Sequence, residues 1–169
     1  MRRALDTLYD GAAALAALFM VLLLLAVLAS VLGRQLHFNI PGTDAYAGYM
    51  MAGAGFLALA HTLKRGEHIR VTLLLQTLSP RARHGLEIWA LFAASVLAAL
   101  VAYYSVRLAW QSYAFNDIST GNDATPLWLP QLSMAIGTTI LAIAFVDELV
   151  LELLGKRVTV SSSEMLHNE

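Results

Sequence analysis

The sequence predicts an all-α membrane protein: four transmembrane helices, a cytoplasmic interfacial amphipathic helix between helices 2 and 3, and both termini in the cytoplasm. Two observations carry this. Four apolar stretches, at about 12–32, 46–63, 86–109 and 132–154, each meet or approach the roughly 20 apolar residues that a helix needs to cross a bilayer. The positive charges between them fall almost all on one side. Arg2 and Arg3 precede the first stretch, Lys64, Arg65, Arg70, Arg81 and Arg83 separate the second from the third, and Lys156 and Arg157 follow the fourth, against Arg34 and Arg107 at the opposite ends. Short loops rich in Lys and Arg stay cytoplasmic, which places the 34–45 and 110–126 loops outside. With 58% hydrophobic and 14% charged residues, no part of the chain is left for a separate soluble domain, and 1–169 reads as a single membrane domain.

Composition also excludes function classes. The net charge of −1 and the lack of any basic patch beyond the topological signal argue against a nucleic-acid partner. With no cysteine, disulfides, thiolate metal sites, iron–sulfur clusters and thiol redox chemistry are ruled out.

The first span, AAALAALFMVLLLLAVLASVL, has no ionisable residue and is apolar all round, as suits a helix facing lipid. It exceeds a cleaved signal h-region and reads as a retained signal anchor. Pro41–Gly42 marks a turn, and Thr43 or Asp44 is expected to cap the second span. That span carries Gly48, Gly53 and Gly55 among alanines. Small residues let helix backbones approach closely, so it is expected to be buried, against either a partner helix or its own bundle.

After the helix-breaking Gly66, residues 67–79 form the interfacial element: Val71, Leu74, Leu75 and Leu78 share one helical face. Basic flanks would hold it against membrane lipids, and Ser79–Pro80 ends it. The third span has Trp89 at its inner end and Tyr103 and Tyr104 at its outer end. These form an aromatic belt with Tyr46, Tyr49, Trp110, Tyr113 and Trp128. The fourth span contains Gly137 and ends with Asp147, Glu148 and Glu152.

Ionisable groups at membrane depth are functional candidates. Arg107 is placed to snorkel to the headgroups. Asp147 and Glu148 lie level with Lys64, Arg65 and Arg3, and stand either as an interfacial ion pair or as cation- or proton-coupling groups. His61 and His84 lie at a similar depth, and facing histidines could hold a haem. No catalytic, metal or cofactor-binding constellation is present, and the chain reads as a non-enzyme. In the outer loop, Asp117, Asn122 and Asp123 are candidates for docking a soluble protein, on exposure alone.

The four-span pattern, the KRGEHIRVTLL segment after span two and the TGNDATPLWLPQLSMAIG run entering span four resemble the small permease (DctQ-like) subunit of tripartite ATP-independent periplasmic (TRAP) transporters. The resemblance covers nearly the whole chain, with Gly66-Glu67-His68-Ile69-Arg70-Val71 its most specific part; Thr72 stands where the family commonly has Asp. It implies a scaffold for a large membrane subunit in the bacterial inner membrane, in sodium-coupled uptake of a carboxylate delivered by a periplasmic substrate-binding protein. Gly66 would then turn the chain out of span two, with Glu67, His68 and Arg70 anchoring that turn. The residues leave two other classes open: an autonomous small transporter coupled through Asp147 and Glu148, or a haem-binding electron-transfer subunit using His61 and His84.

Overall fold

The computed structural model describes residues 2–38, 41–65, 79–121 and 123–155. Four helices hold most of them: α1 (Arg2–Gln35), α2 (Thr43–Lys64), α3 (Pro80–Ala114) and α4 (Trp128–Leu153). The packing order is α1, α2, α4, α3, so α2 and α4 form the middle of the bundle and α1 and α3 its flanks. Three helices, α1, α3 and α4, are long and apolar enough to cross a membrane. α2 falls short because three glycines, Tyr46, Tyr49 and His61 dilute its Leu and Ala. Its position is set by packing on both sides instead.

The contact between α3 and α4 has a simple sequence basis. Leu91, Ser95, Ala98, Ala102, Ser105, Ala109 and Ser112 recur at alternating spacings of four and three, and all are buried. That is a coiled-coil period, written in small residues that let the two backbones approach in an apolar medium. The Ser95 hydroxyl donates to the Leu91 carbonyl at 2.7 Å, and on α4 Thr138 and Thr139 donate to Met134 and Ala135 at 2.8 and 2.7 Å. Each hydroxyl is thus satisfied by its own helix, without needing water.

α2 meets α1 and α4 through single close approaches. A Cβ added to Gly53 would lie 3.0 Å from the Phe19 ring, and one added to Gly137 would lie 2.5 Å from the Phe56 carbonyl oxygen. Side chains from three helices then fill one core: Tyr9 and Ala12 of α1, Ala60 and Leu63 of α2, and Ile140 and Ala144 of α4.

Two helix starts differ from expectation. Neither Thr43 nor Asp44 caps α2; its N-cap is Gly42, at φ 84°. Glycine is favoured there by its left-handed backbone, and a Cβ would also meet Asp123 at 3.0 Å. Asp44 turns back to α1, where Ser30 and Arg34 donate to it at 3.0 and 3.2 Å. Ser79–Pro80, read as the end of the interfacial helix, begins α3: the Ser79 hydroxyl accepts the Ala82 N–H at 3.4 Å, with Pro80 in the first turn. Proline fits there because its missing N–H would have had no helical partner. Of the expected interfacial helix at 67–79, residues 67–78 lie outside the described residues.

Candidate functional site

The inter-helix ion pairs of His61, Lys64 and His84 gather at one end of the bundle, where α1 and α3 start and α2 and α4 finish. Lys64 is the centre of this ionic end. Its ammonium donates to Asp147 and, at 3.0 Å, to Glu148, and it stands over the Tyr9 ring at 5.3 Å from the centroid. Lys64 and Asp147 are each 19% exposed and Glu148 12%, so the charges are largely withdrawn from water and their energy depends on one another. Asp147 and Glu148 lie one residue apart on α4 and both reach Lys64 because it ends α2, the helix parallel to α4. The two carboxylates are held by a lysine across a helix pair, an arrangement that fixes the ends of α2 and α4 together.

The two histidines serve different helix pairs. His61 Nδ1 lies 3.5 Å from Asp10 of α1, and His84 Nδ1 lies 3.1 Å from Glu152 of α4. The haem reading needed both imidazoles on one ligand; the structure engages each with a carboxylate instead. Among the described residues, no group of three or more His, Cys, Asp or Glu side chains is placed to hold a metal. The Tyr9 hydroxyl is buried with no hydrogen-bond partner among the described residues.

At the opposite, aromatic end the loop between α3 and α4 is tied down. Ile118 and Pro126 form an antiparallel bridge, flanked by Ser119 N–H to Thr125 O at 2.8 Å and Leu127 N–H to Asp117 O at 2.9 Å. Asp123 accepts from Ser119 at 2.8 Å and from Tyr49 of α2 at 2.9 Å. Hydrogen bonding by Thr125 first, then Ser119 and Tyr49, holds its carboxyl down at about 2. Asp123 is therefore a cross-link between this loop and α2. The Asp117 side chain is exposed. Asn122, Gly66, Glu67, His68 and Arg70 lie outside the described residues.

The four glycines expected to pack in spans two and four separate by role. Gly53 and Gly137 are packing positions inside the bundle, whereas Gly48 and Gly55 face open space. Gly55 lines a groove of about 550 Å³ between α1 and α2, with Ala13, Ala17, Met51 and Ala58. A second groove, of about 530 Å³, runs between α3 and α4, with Leu8 of α1 also in its lining, and was not legible from apolar stretches alone. The signal that could have found it is the α3 seam, which fixes which face of that helix is turned away from α4.

A helical bundle whose α1 exposes Leu18, Val21, Leu24, Leu25 and Leu28, with further large apolar side chains exposed on α3 and α4, and three of whose helices are long and apolar enough to cross a bilayer, is a multi-pass membrane protein. Its best-formed polar cluster is the inter-helix contact of Lys64 with Asp147 and Glu148. The sequence model of one family, described as tripartite ATP-independent periplasmic transporters, DctQ component, matches residues 23–155. The chain belongs to this family, which contributes one component of a transporter and is not an enzyme family. No match was found among curated proteins.

Proposed function

We propose that this chain is the small transmembrane subunit of a TRAP-type secondary transporter in the bacterial inner membrane. It scaffolds a large membrane subunit that carries out sodium-coupled uptake of a carboxylate delivered by a periplasmic binding protein. The observation that carries the scaffold reading is the pairing of Asp147 and Glu148 with Lys64. A coupling carboxylate has to exchange a cation or proton during transport. Two carboxylates neutralised by a lysine on the neighbouring helix are instead suited to holding helices in place.

In this reading α2 is the fourth span, held at membrane depth by α1 and α4 on either side. The ionic end faces the cytoplasm and the aromatic end the periplasm, as the Lys and Arg distribution requires. The small-residue groove at Gly55 is where a helix of the large subunit packs, since Gly and Ala allow backbones to approach within an apolar medium. Residues 67–79 lie in the cytoplasmic interface, with Glu67, His68 and Arg70 anchoring the turn at Gly66. The exposed Asp117 faces the side from which the binding protein approaches.

The test is co-purification from native membranes in mild detergent, with a tag on this chain and partners identified by intact mass. A large polytopic protein at fixed stoichiometry supports the proposal. Recovery of this chain alone, together with ion-coupled transport by it in proteoliposomes, overturns it in favour of an autonomous transporter.

A further inference from the structure

α3 lies at the edge of the bundle, packed on α4 through the buried seam that includes Ala98 and Ala102. On its other side Trp89, Phe92, Val96, Leu100 and Tyr103 are all exposed. With Arg107 they fall within about 60° of one line down the helix, and Ala98 lies about 180° from that line. From 88 to 106 the sequence has no Asp, Glu, Lys, Arg or His. That stretch spans about 28 Å at the α-helical rise, close to the roughly 30 Å of a bilayer's hydrocarbon. Trp89 sits at its inner boundary, the level that tryptophan favours.

An arginine stands beyond each end of the apolar stretch. Arg107 and Arg81 are both exposed, and among the described residues neither side chain makes an ion pair or hydrogen bond. Both lie on the outward half of α3, about 39 Å apart along the axis. A bilayer with its headgroups is roughly 40–45 Å thick, so the two guanidinium groups reach opposite headgroup layers when the stretch between them fills the hydrocarbon. A guanidinium with no acidic side chain on it is complementary to a phosphate, which it can grip through two parallel hydrogen bonds.

We infer that the outward side of α3 is this subunit's boundary with bilayer lipid, and is not covered by another subunit. Arg107 and Arg81 meet phospholipid phosphates of the two leaflets, and Val96 and Leu100 meet acyl chains between them. Helices that pack in an apolar medium do so through small residues, which α3 places in its seam with α4 and not on this side. A protein partner would also have to bring an acid to each end, whereas a bilayer offers phosphate at both, at the separation the arginines require. The inference needs only that α3 crosses a membrane, so it stands apart from the docking proposed at Gly55.

The test places a photoreactive side chain at position 100, 103 or 55 of the full chain. The protein, with whatever subunits accompany it, is reconstituted in vesicles of phosphatidylethanolamine and phosphatidylglycerol. Adducts are read by mass on this chain. Position 100 is expected to couple to phospholipid, and coupling there to polypeptide of another subunit overturns the boundary whatever position 55 gives. Lipid at both positions would unseat the docking groove while supporting this inference. At position 103, one turn on the membrane side of Arg107, Arg107→Gln should lower the share of phosphatidylglycerol among the adducts about fivefold, the effect of one arginine near an anionic surface. Arg107→Lys, which keeps the charge, should preserve most of that share. An unchanged share in Arg107→Gln would overturn the assignment of phosphate to Arg107.

Discussion

The two grooves flanking this bundle have nearly the same volume, about 550 Å³ between α1 and α2 and about 530 Å³ between α3 and α4, and opposite textures. The first is lined by Ala13, Ala16, Ala17, Ala54, Gly55 and Ala58, the second by tryptophans, a tyrosine, leucine and isoleucines. Size therefore says little about what either can receive. Small side chains expose backbone to close approach, while large ones present hydrocarbon to a flexible partner. The ends differ in the same way: α2 and α4 are joined by charge at Lys64, and α3 reaches α4 through a seam of Ala and Ser.

The sharpest way to break this arrangement is to obstruct the closest backbone approach. Gly137→Leu places side-chain atoms where the Phe56 backbone already lies, and should destabilise the bundle by about 3 kcal/mol, read as a lower thermal midpoint in detergent. Lys64→Met leaves Asp147 and Glu148 without their cation. We expect a loss of about 2 kcal/mol, below the range for fully buried pairs because these side chains are partly exposed. The triple variant Lys64→Met, Asp147→Asn, Glu148→Gln should recover most of that stability. If it also retains uptake in the reconstituted transporter, the carboxylates are structural; abolished uptake at restored stability would make them coupling groups.

On the other flank, Ser105→Leu overfills the α3–α4 seam and should cost about 1–2 kcal/mol by the same thermal assay. Gly55→Leu should not lower the midpoint of the isolated chain, because a Cβ there would meet nothing within 4 Å and Leu is the better helix former, while lowering recovery of the large subunit. Equal recovery would show that the α1–α2 groove is not the docking face.

The smallest effect belongs to the loop at the aromatic end. Asp123 titrates at about 2 against an ordinary 3.8, so the native loop favours its ionised form. Its contribution is complete above the ordinary value and is lost as pH falls from about 4 towards 2. Hydrogen exchange at Ser119 and Leu127 should be unchanged between pH 7 and pH 5 apart from the intrinsic rate, and Asp123→Asn should accelerate it at both. Protection that fades between pH 7 and pH 5 would sink this account.

Much of this was legible in the chain because hydrophobic length and charge asymmetry are local properties. The all-α class needed only stretches such as 12–32 to be read against the thickness of a bilayer, and membership of the DctQ family followed from motifs readable in order. The alternating Ala and Ser of α3 were equally visible, but a seam of small residues is informative only once a partner helix is known. Pairings were less accessible. His61 and His84 look equivalent in sequence, yet one meets Asp10 and the other Glu152, because which carboxylate comes within reach depends on how helices are rotated about their axes.

By itself, then, the sequence determined that this is a helical membrane protein, which family it belongs to, and that Asp147 and Glu148 would be near Lys64. The tertiary structure alone decided which glycines are contacts and which are open surface, since Gly53 and Gly55 differ by two residues and by 200° around α2. It also decided that Asp123 is a cross-link and that two unlike grooves flank the bundle. Contacts between helices depend on rotation, crossing and order of packing, and those are properties of the assembled bundle that no single stretch of sequence carries.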